Sequence, residues 1–223
     1  MSAEERKKYL GANKPNPVSK KIHQNPHDAI LSPLIPTSYD FRSVRKVSPV
    51  KNQGGCGSCW AFASVAAVES QYLIRQNKTL DLSEQTLVSC DRDQNGGGSS
   101  GWMNLAYNYI QTKGIPTETC NPYETADGIC TKACNNQRYF IDSYICFGDD
   151  ESKFAKDLYN FGPASMSFAV PEAMFFYESG ILDIPADQCL NENIGWHAAV
   201  IVGYTPEYWI AKNSWGKDWG ERG

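Results

Sequence analysis

Between Ser58 and Gln76 the apolar positions follow neither a strand nor a one-sided helix pattern. Trp60, Ala61, Phe62, Ala63, Val65, Ala66, Ala67, Val68, Tyr72, Leu73 and Ile74 come without an intervening glycine or proline. They cover most of a helical surface, which predicts a helix buried between layers. Gly54, Gly55 and Gly57 just upstream predict a tight turn. Cys59 therefore falls in the first turn of that helix. Strand-like runs, such as Ala198–Tyr204 and Tyr208–Lys212, concentrate after about residue 140. At the start of the chain, Ser2 and Glu5 fit a capping box, and the short helix they open is expected to reach Leu10 and stop at Gly11. Beyond it Pro15, Pro17, Pro26 and Pro33 punctuate a stretch with no hydrophobic period, which reads as extended.

Composition narrows the class. Hydrophobic residues make up 41% and charged residues 21% of 223 positions, which is ordinary for a globular chain and not for a disordered one. The net charge of −4 argues against a nucleic-acid partner. No apolar run reaches the length of about 18 residues that a membrane-spanning helix needs. Charge is unevenly placed: residues 1–34 hold six basic and three acidic side chains, net +3, leaving −7 for residues 35–223. Composition alone favours a disordered tail, and the sharper reading is a cationic segment lying on an anionic domain. Met1–Leu10 is too charged for a secretory signal, so either the protein is not secreted or the sequence begins partway through a precursor. Asn77-Lys78-Thr79 is a lone glycosylation sequon. Of the three histidines, His23 and His27 lie in the leader, which leaves His197 as the one candidate imidazole base in the domain.

Eight cysteines suggest an oxidising compartment, a metal site, or a reactive thiol accompanied by disulfides. At a helix start, unpaired N–H groups and the macrodipole stabilise anions, so Cys59 is expected to ionise more readily than a free thiol. Four readings of Cys56-Gly57-Ser58-Cys59 stand side by side: a thioredoxin-type redox pair, a zinc site with Cys130 and Cys134, a hydrolase nucleophile with Cys56 structural, or two inert cysteines, bridged or buried. The Cys130/Cys134 spacing is poor for zinc, and no metal is expected.

The wider context decides among them. Gln53 precedes Cys59 by six residues, Trp60 follows it, His197 lies 138 residues downstream, and Asn213 lies 154 downstream within Lys212-Asn213-Ser214-Trp215-Gly216. In this order and spacing the chain resembles the papain and cathepsin cysteine proteases, whose His and Asn follow the nucleophile by roughly 130–150 residues. The resemblance extends through Ile35–Arg42, Pro49–Gln53, Leu82–Gln85, Leu87–Cys90, Asn121-Pro122-Tyr123, Gly162-Pro163, Gly203-Tyr204 and Trp215–Gly220. It implies an α+β fold in two parts. About 44–140 would form a helical half, and about 141–223 with 35–43 a half built on an antiparallel β-barrel, with the active site in the cleft between them. Residues 1–34 would be the C-terminal part of an inhibitory propeptide.

The resemblance also implies the chemistry. Cys59 would be the nucleophile, His197 its base and acid, Asn213 the residue that orients the imidazole, and Gln53 with the Cys59 N–H the oxyanion donors. Trp215 would shield the His–Asn bond. Gly101, Trp102, Met103, Ser167 and Ala198 would bind substrate, with an apolar side chain preferred two residues before the scissile bond. Taken singly, a Gln is usually a solvated side chain, an Asn a turn residue and a Trp part of a core. Their joint spacing favours the sharper roles. The implied partners are peptide or protein substrates, the chain's own propeptide and inhibitors of the cystatin type. No cofactor is implied, a monomer is expected, and the implied location is lysosome, vacuole or outside the cell. The readings kept beside this one are a catalytically impaired relative that acts by binding and a Cys56/Cys59 thiol oxidoreductase.

Several positions depart from the family pattern. The cysteine expected to bridge to Cys56 is replaced by Gly98, while a Cys90–Cys130 bridge still fits. Cys120, Cys134 and Cys146 have no assignable partner. Trp196 stands before the histidine where the family usually has Asp or Asn, and is expected to narrow the pocket beside it. The family continues past Trp219-Gly220 with further strands, so an unfinished barrel and an unpaired Cys189 are expected.

Overall fold

The computed structural model describes residues 1–14, 34–131, 136–147 and 150–223, the side chain of Ser152 excepted. The elements run α1 Ala3–Lys7, β1 Tyr39–Asp40, α2 Cys59–Gln76, α3 Glu84–Cys90, α4 Met103–Lys113, α5 Glu151–Phe161, β2 Ala164–Pro171, α6 Ala186–Asn191, β3 Asn193–Tyr204 and β4 Trp209–Lys212. The capping box is present, with Ser2 Oγ accepting from the Glu5 N–H and the Glu5 carboxylate accepting from the Ser2 N–H. Helix α1 ends at Lys7, three residues before the expected Leu10, and a turn rather than Gly11 closes it.

Helix α2 is the centre of the molecule. Apolar on nearly all sides, it packs one face into a cluster with Leu82, Leu87, Val88 and Ile110 from the helical region. Another face, through Cys59, Ala63 and Ala66, meets Ala198, Val200 and Val202 of β3. The helix ends at Asn77, whose left-handed backbone (φ 51°) closes it.

Strand β3 organises the sheet. It pairs antiparallel with β2, from Ala164↔Ile201 to Ala169↔Trp196, with β4, from Val200↔Lys212 to Tyr204↔Trp209, and with β1. Among the described residues this makes a four-stranded sheet, and it does not close. The open sheet among the described residues agrees with the expected unfinished barrel. The later region is not purely β, since α5 packs against β3 there through Leu158 beside Ile201.

A disulfide joins Cys90 and Cys130 as expected, and Cys120 is also disulfide-bonded. Cys56, Cys59, Cys146 and Cys189 are free. Cys134, His23 and His27 lie outside the described residues. A Cβ placed on Gly98 would stand 2.7 Å from Cys56 Sγ, so Gly98 occupies the place from which a cysteine would reach Cys56. No helix among the described residues is long and apolar enough to cross a membrane.

Candidate active site

Three short segments supply the expected residues: His197 meets Asn213 and Trp215, and Cys59 packs against Ala198, the neighbour of His197. The turn before α2 delivers Cys59, β3 delivers His197 and Ala198, and the segment after β4 delivers Asn213 and Trp215. Gln53 belongs to a fourth piece that runs antiparallel to the third: the Gln53 N–H donates to the Ser214 carbonyl at 2.8 Å, and Asn52 bridges to Trp215. The Gln53 side chain is fully buried, and its Oε1 accepts from Ser214 Oγ at 2.6 Å.

His197 is fully buried. Its Nε2 lies 2.7 Å from Asn213 Oδ1, and the Trp215 ring covers it at a centroid distance of 4.7 Å. Phe168 meets the imidazole edge-on from β2. The imidazole pKa is pushed down to about 4, chiefly because burial penalises the cation, with Asn213 offsetting part of this. Nδ1 has no hydrogen-bond partner of good geometry, although the Tyr9 carbonyl lies near enough to favour the protonated ring slightly.

Cys59 is also fully buried, packed against Ala198 and Ala12. Here the local expectation reverses. The helix start predicts easier ionisation, yet the thiol is pushed up to about 11 because burial outweighs the backbone amides of Ala198, Gly11, Trp60 and Ala12 that favour the anion. Two of those four belong to the leader.

The leader therefore is not a free tail over its first fourteen residues. After helix α1, its Gly11–Asn13 stretch lies extended across the groove. Gly101 donates its N–H to the Gly11 carbonyl at 2.8 Å and accepts from the Asn13 N–H at 3.2 Å. The Ala12 N–H donates to the Trp196 carbonyl at 3.1 Å, and Ser167 Oγ donates to the Asn13 carbonyl at 3.2 Å. Gln53 Nε2 donates to the Tyr9 carbonyl at 2.9 Å and to the Cys56 carbonyl at 2.8 Å. Tyr9 packs edge-on against Trp215, and Arg6 pairs with Glu172 while lying over the Phe176 ring. A Cβ on Gly11 would sit 1.8 Å from the Gly57 carbonyl oxygen, so only glycine lets the strand lie this close to the turn before α2.

Of the other expected positions, Trp102 is the N-cap of α4 and Met103 its first residue, packed against the clusters on both faces of α2. Trp196 packs beside Cys59 and Ala198 and holds the leader through its carbonyl. A set of buried charges was not singled out by sequence. Lys51 Nζ reaches Glu69 at 3.1 Å, Asp81 at 2.7 Å and Glu84 at 2.9 Å, and Lys212 Nζ reaches Ser48 Oγ at 2.9 Å. Its only sequence signal is a set of charged residues flanking apolar runs, which usually marks a solvated face.

The model of the papain family of cysteine proteases matches residues 35–223. The chain is 39% identical over 197 residues to the viral cathepsin of Heliothis zea nuclear polyhedrosis virus, covering 85% of this chain and 51% of the viral protein. It is 42% identical over 196 residues to zingipain-2 of Zingiber officinale, covering 85% and 86% respectively. The solved structure of digestive procathepsin L2 from the Tenebrio molitor larval midgut superposes with a TM-score of 0.87 at 38% identity, covering 100% of this chain and 74% of that one. The chain spans about half the length of the viral relative.

Proposed function

The chain belongs to the papain family of cysteine proteases, and we propose that it is a cysteine endopeptidase held inactive by its own first residues. The observation that carries this reading is the leader strand. A peptide already lies in the groove, backbone-paired to Gly101, with its Gly11–Ala12 backbone over Cys59 and its Tyr9 carbonyl on the Gln53 amide. A groove that binds one extended peptide backbone can bind another. The Tenebrio structure, titled a procathepsin, overlaps the whole of this chain and supports assigning residues 1–34 to a propeptide and 35–223 to the peptidase domain.

In this reading the leader works by desolvation. While it covers the groove, burial keeps the Cys59 thiol and the His197 imidazole both neutral. When it leaves, water and a productive approach let His197 take the thiol proton, and the ion pair forms. The Cys59 sulfur attacks the substrate carbonyl. The developing oxyanion takes the Gln53 Nε2 donor now spent on Tyr9, together with the Cys59 N–H. His197 passes its proton to the leaving amine, then activates the water that hydrolyses the thioester. Asn213 holds the ring through Nε2, leaving Nδ1 for the sulfur, and Trp215 keeps water off that bond. Substrate would take the leader's place on Gly101 and Ser167, with Trp102, Met103 and Ala198 receiving an apolar side chain. A secreted, lysosomal or vacuolar location and inhibition by cystatin-type proteins belong to the same proposal.

The test compares the full chain, the chain beginning at Ile35, and the latter with Cys59→Ala, on a fluorogenic peptide with an apolar residue two positions before the cleavable bond. The trimmed chain is expected to be active, the full chain to lag until it is cleaved, and Cys59→Ala to lose about 10⁴-fold or more. Equal rates for trimmed and full chains would refute the inhibitory leader. Undiminished hydrolysis by the Cys59→Ala protein would refute the nucleophile.

A further inference from the structure

The turn from Gln53 to Ser58 carries the Gln53 amide at one end and leads into the Cys59 N–H at the other, yet its own residues do little to hold its shape. Gly54, Gly55 and Gly57 have no side chain, and Cys56 is a free thiol facing Gly98. A glycine-rich stretch without a covalent tether has wide backbone freedom. A displacement of about 1 Å near reacting groups costs on the order of 10²-fold in rate. Something outside the turn must fix it.

The side chain of Tyr123 does so. Its hydroxyl donates to the Gln53 carbonyl at 2.8 Å and lies 2.5 Å from Ser58 Oγ. A phenol has one proton and a carbonyl can only accept, so Ser58 is the donor in the second bond. Both ends of the turn are thus pinned on one oxygen. Ser58 is fully buried and is the N-cap of α2, a position where serine ordinarily accepts from an N–H of the first turn. Here it makes no such bond, and its hydroxyl is committed to Tyr123 instead. Tyr123 is itself held from two sides. Its N–H donates to Glu118 Oε1 at 2.7 Å, and its ring meets Phe62 edge-to-face at 4.8 Å, three residues past Cys59 on α2. The Gln53 backbone is therefore registered against the helix that carries the nucleophile. From there Ser214 Oγ directs the Gln53 side chain by donating to Oε1, which leaves Nε2 as the free donor.

We propose that Tyr123 is a positioning residue for the oxyanion donors, its hydroxyl fixing the Gln53–Ser58 turn so that Gln53 Nε2 and the Cys59 N–H keep the spacing a developing oxyanion needs. The proposal rests on the reading of Gln53 as an oxyanion donor.

The test uses the full chain, folded intact and then freed of its leader by a trace of pepsin that is inactivated at neutral pH. Tyr123→Phe keeps the ring on Phe62 and removes only the hydroxyl. Its kcat on the fluorogenic peptide is expected to fall about tenfold with KM within about twofold, against about 10²-fold in kcat for Gln53→Ala. The two combined should cost no more than Gln53→Ala alone, since a positioning group has nothing to act on once the donor is gone. Alkylation of Cys59 by iodoacetamide, read by peptide mapping, builds no oxyanion and should keep its rate within about twofold in Tyr123→Phe. Ser58→Ala removes the second bond alone and should show the same pattern at about threefold, so the test does not depend on one variant folding. Undiminished kcat in Tyr123→Phe and Ser58→Ala, a full further loss when Tyr123→Phe is added to Gln53→Ala, or alkylation slowed in step with hydrolysis would overturn the proposal. Undiminished hydrolysis by Gln53→Ala would remove the donor role, and the proposal with it; a loss confined to Gln53→Ala leaves that role standing and refutes Tyr123 alone.

Discussion

Two buried regions of one molecule treat charge differently. Cys59 and His197 are fully buried, as are Glu69 and, to within 1%, Glu84. The first pair meets only backbone amides, a neutral asparagine and aromatic rings, and burial drives both members towards their uncharged forms. In the second region Lys51 is surrounded by carboxylates that hold it protonated, well above the usual lysine range, although burial works against the cation. Burial alone therefore does not determine charge: Lys51 stays protonated beside its carboxylates, while Glu84 and Lys212 are shifted towards their neutral forms by burial. The difference has a functional side. In the proposed function the neutral buried pair changes state when its cover leaves, whereas around Lys51 the cation keeps its charge and Glu84 is pushed up to about 8. The Lys51 region reaches the site through the backbone: Lys51 accepts the Gly216 N–H at its carbonyl, one residue from Asn52, which bridges to Trp215.

The comparison is broken most forcefully at Lys51. Lys51→Met removes the cation and strands Glu69 and Glu84, and the expected loss is about 3–5 kcal/mol in denaturant unfolding at pH 7. A loss below 1 kcal/mol would mean that the carboxylates are already neutral. The second effect concerns the leader. With His197 depressed from 6.5 to about 4 under the leader, the covered form binds fewer protons than the open form between those values. Its advantage is complete above about pH 6.5 and falls as pH drops towards 4, by at most about 3 kcal/mol, since Phe168 and Trp215 also bury the ring. Cys59, raised from 9.0 to about 11, adds the opposite limit, weakening the covered form as pH rises from 9. Amide-exchange protection of Gly101, which bonds the Gly11 carbonyl, should drop across pH 6.5 to 4 after correction for intrinsic rates, while that of Ile110 in α4 holds. Unchanged Gly101 protection at pH 4 would remove His197 from the account.

A milder change separates geometry from charge on the Cys59 side. Gly98→Cys is expected to bridge to Cys56, seen as a mass two units below that of the reduced variant and one titratable thiol fewer than in the unsubstituted protein, and to add about 2 kcal/mol. The Cys59 titration should stay where it is, because its burial is untouched; a moved titration would show that loop geometry governs it. The smallest effect is Arg6→Ala. The Arg6–Glu172 pair is half in solvent at its acid end, so the leader should loosen by about 1 kcal/mol or less, read in the same Gly101 exchange experiment.

Much of the site was legible along the chain because its signals are short-ranged or carried by order. The all-round apolar run set α2, the glycines set the turn, the Ser2/Glu5 pair set the first cap, and the Gln53, Cys59, His197 and Asn213 spacing marked the groove. The Cys90–Cys130 bridge and the vacancy opposite Cys56 also followed from sequence. The direction of the Cys59 shift was not legible. A helix start favours a thiolate within one turn, whereas desolvation comes from Ala12 and Ala198, which lie 47 residues before it and 139 after it. The same holds for the cluster around Lys51, whose partners are 18 to 33 residues away and would each be taken for surface charges.

The backbone pairing of the docked leader belongs to this second class. Residues 1–14 have the composition of a tail, yet they order because a groove supplies backbone partners at Gly101 and Trp196. By itself, then, the sequence determined the candidate side chains for the chemistry and the local elements that hold them. The tertiary structure alone decided their protonation and what covers them, because both depend on how much water and how much opposite charge distant segments leave around a buried group.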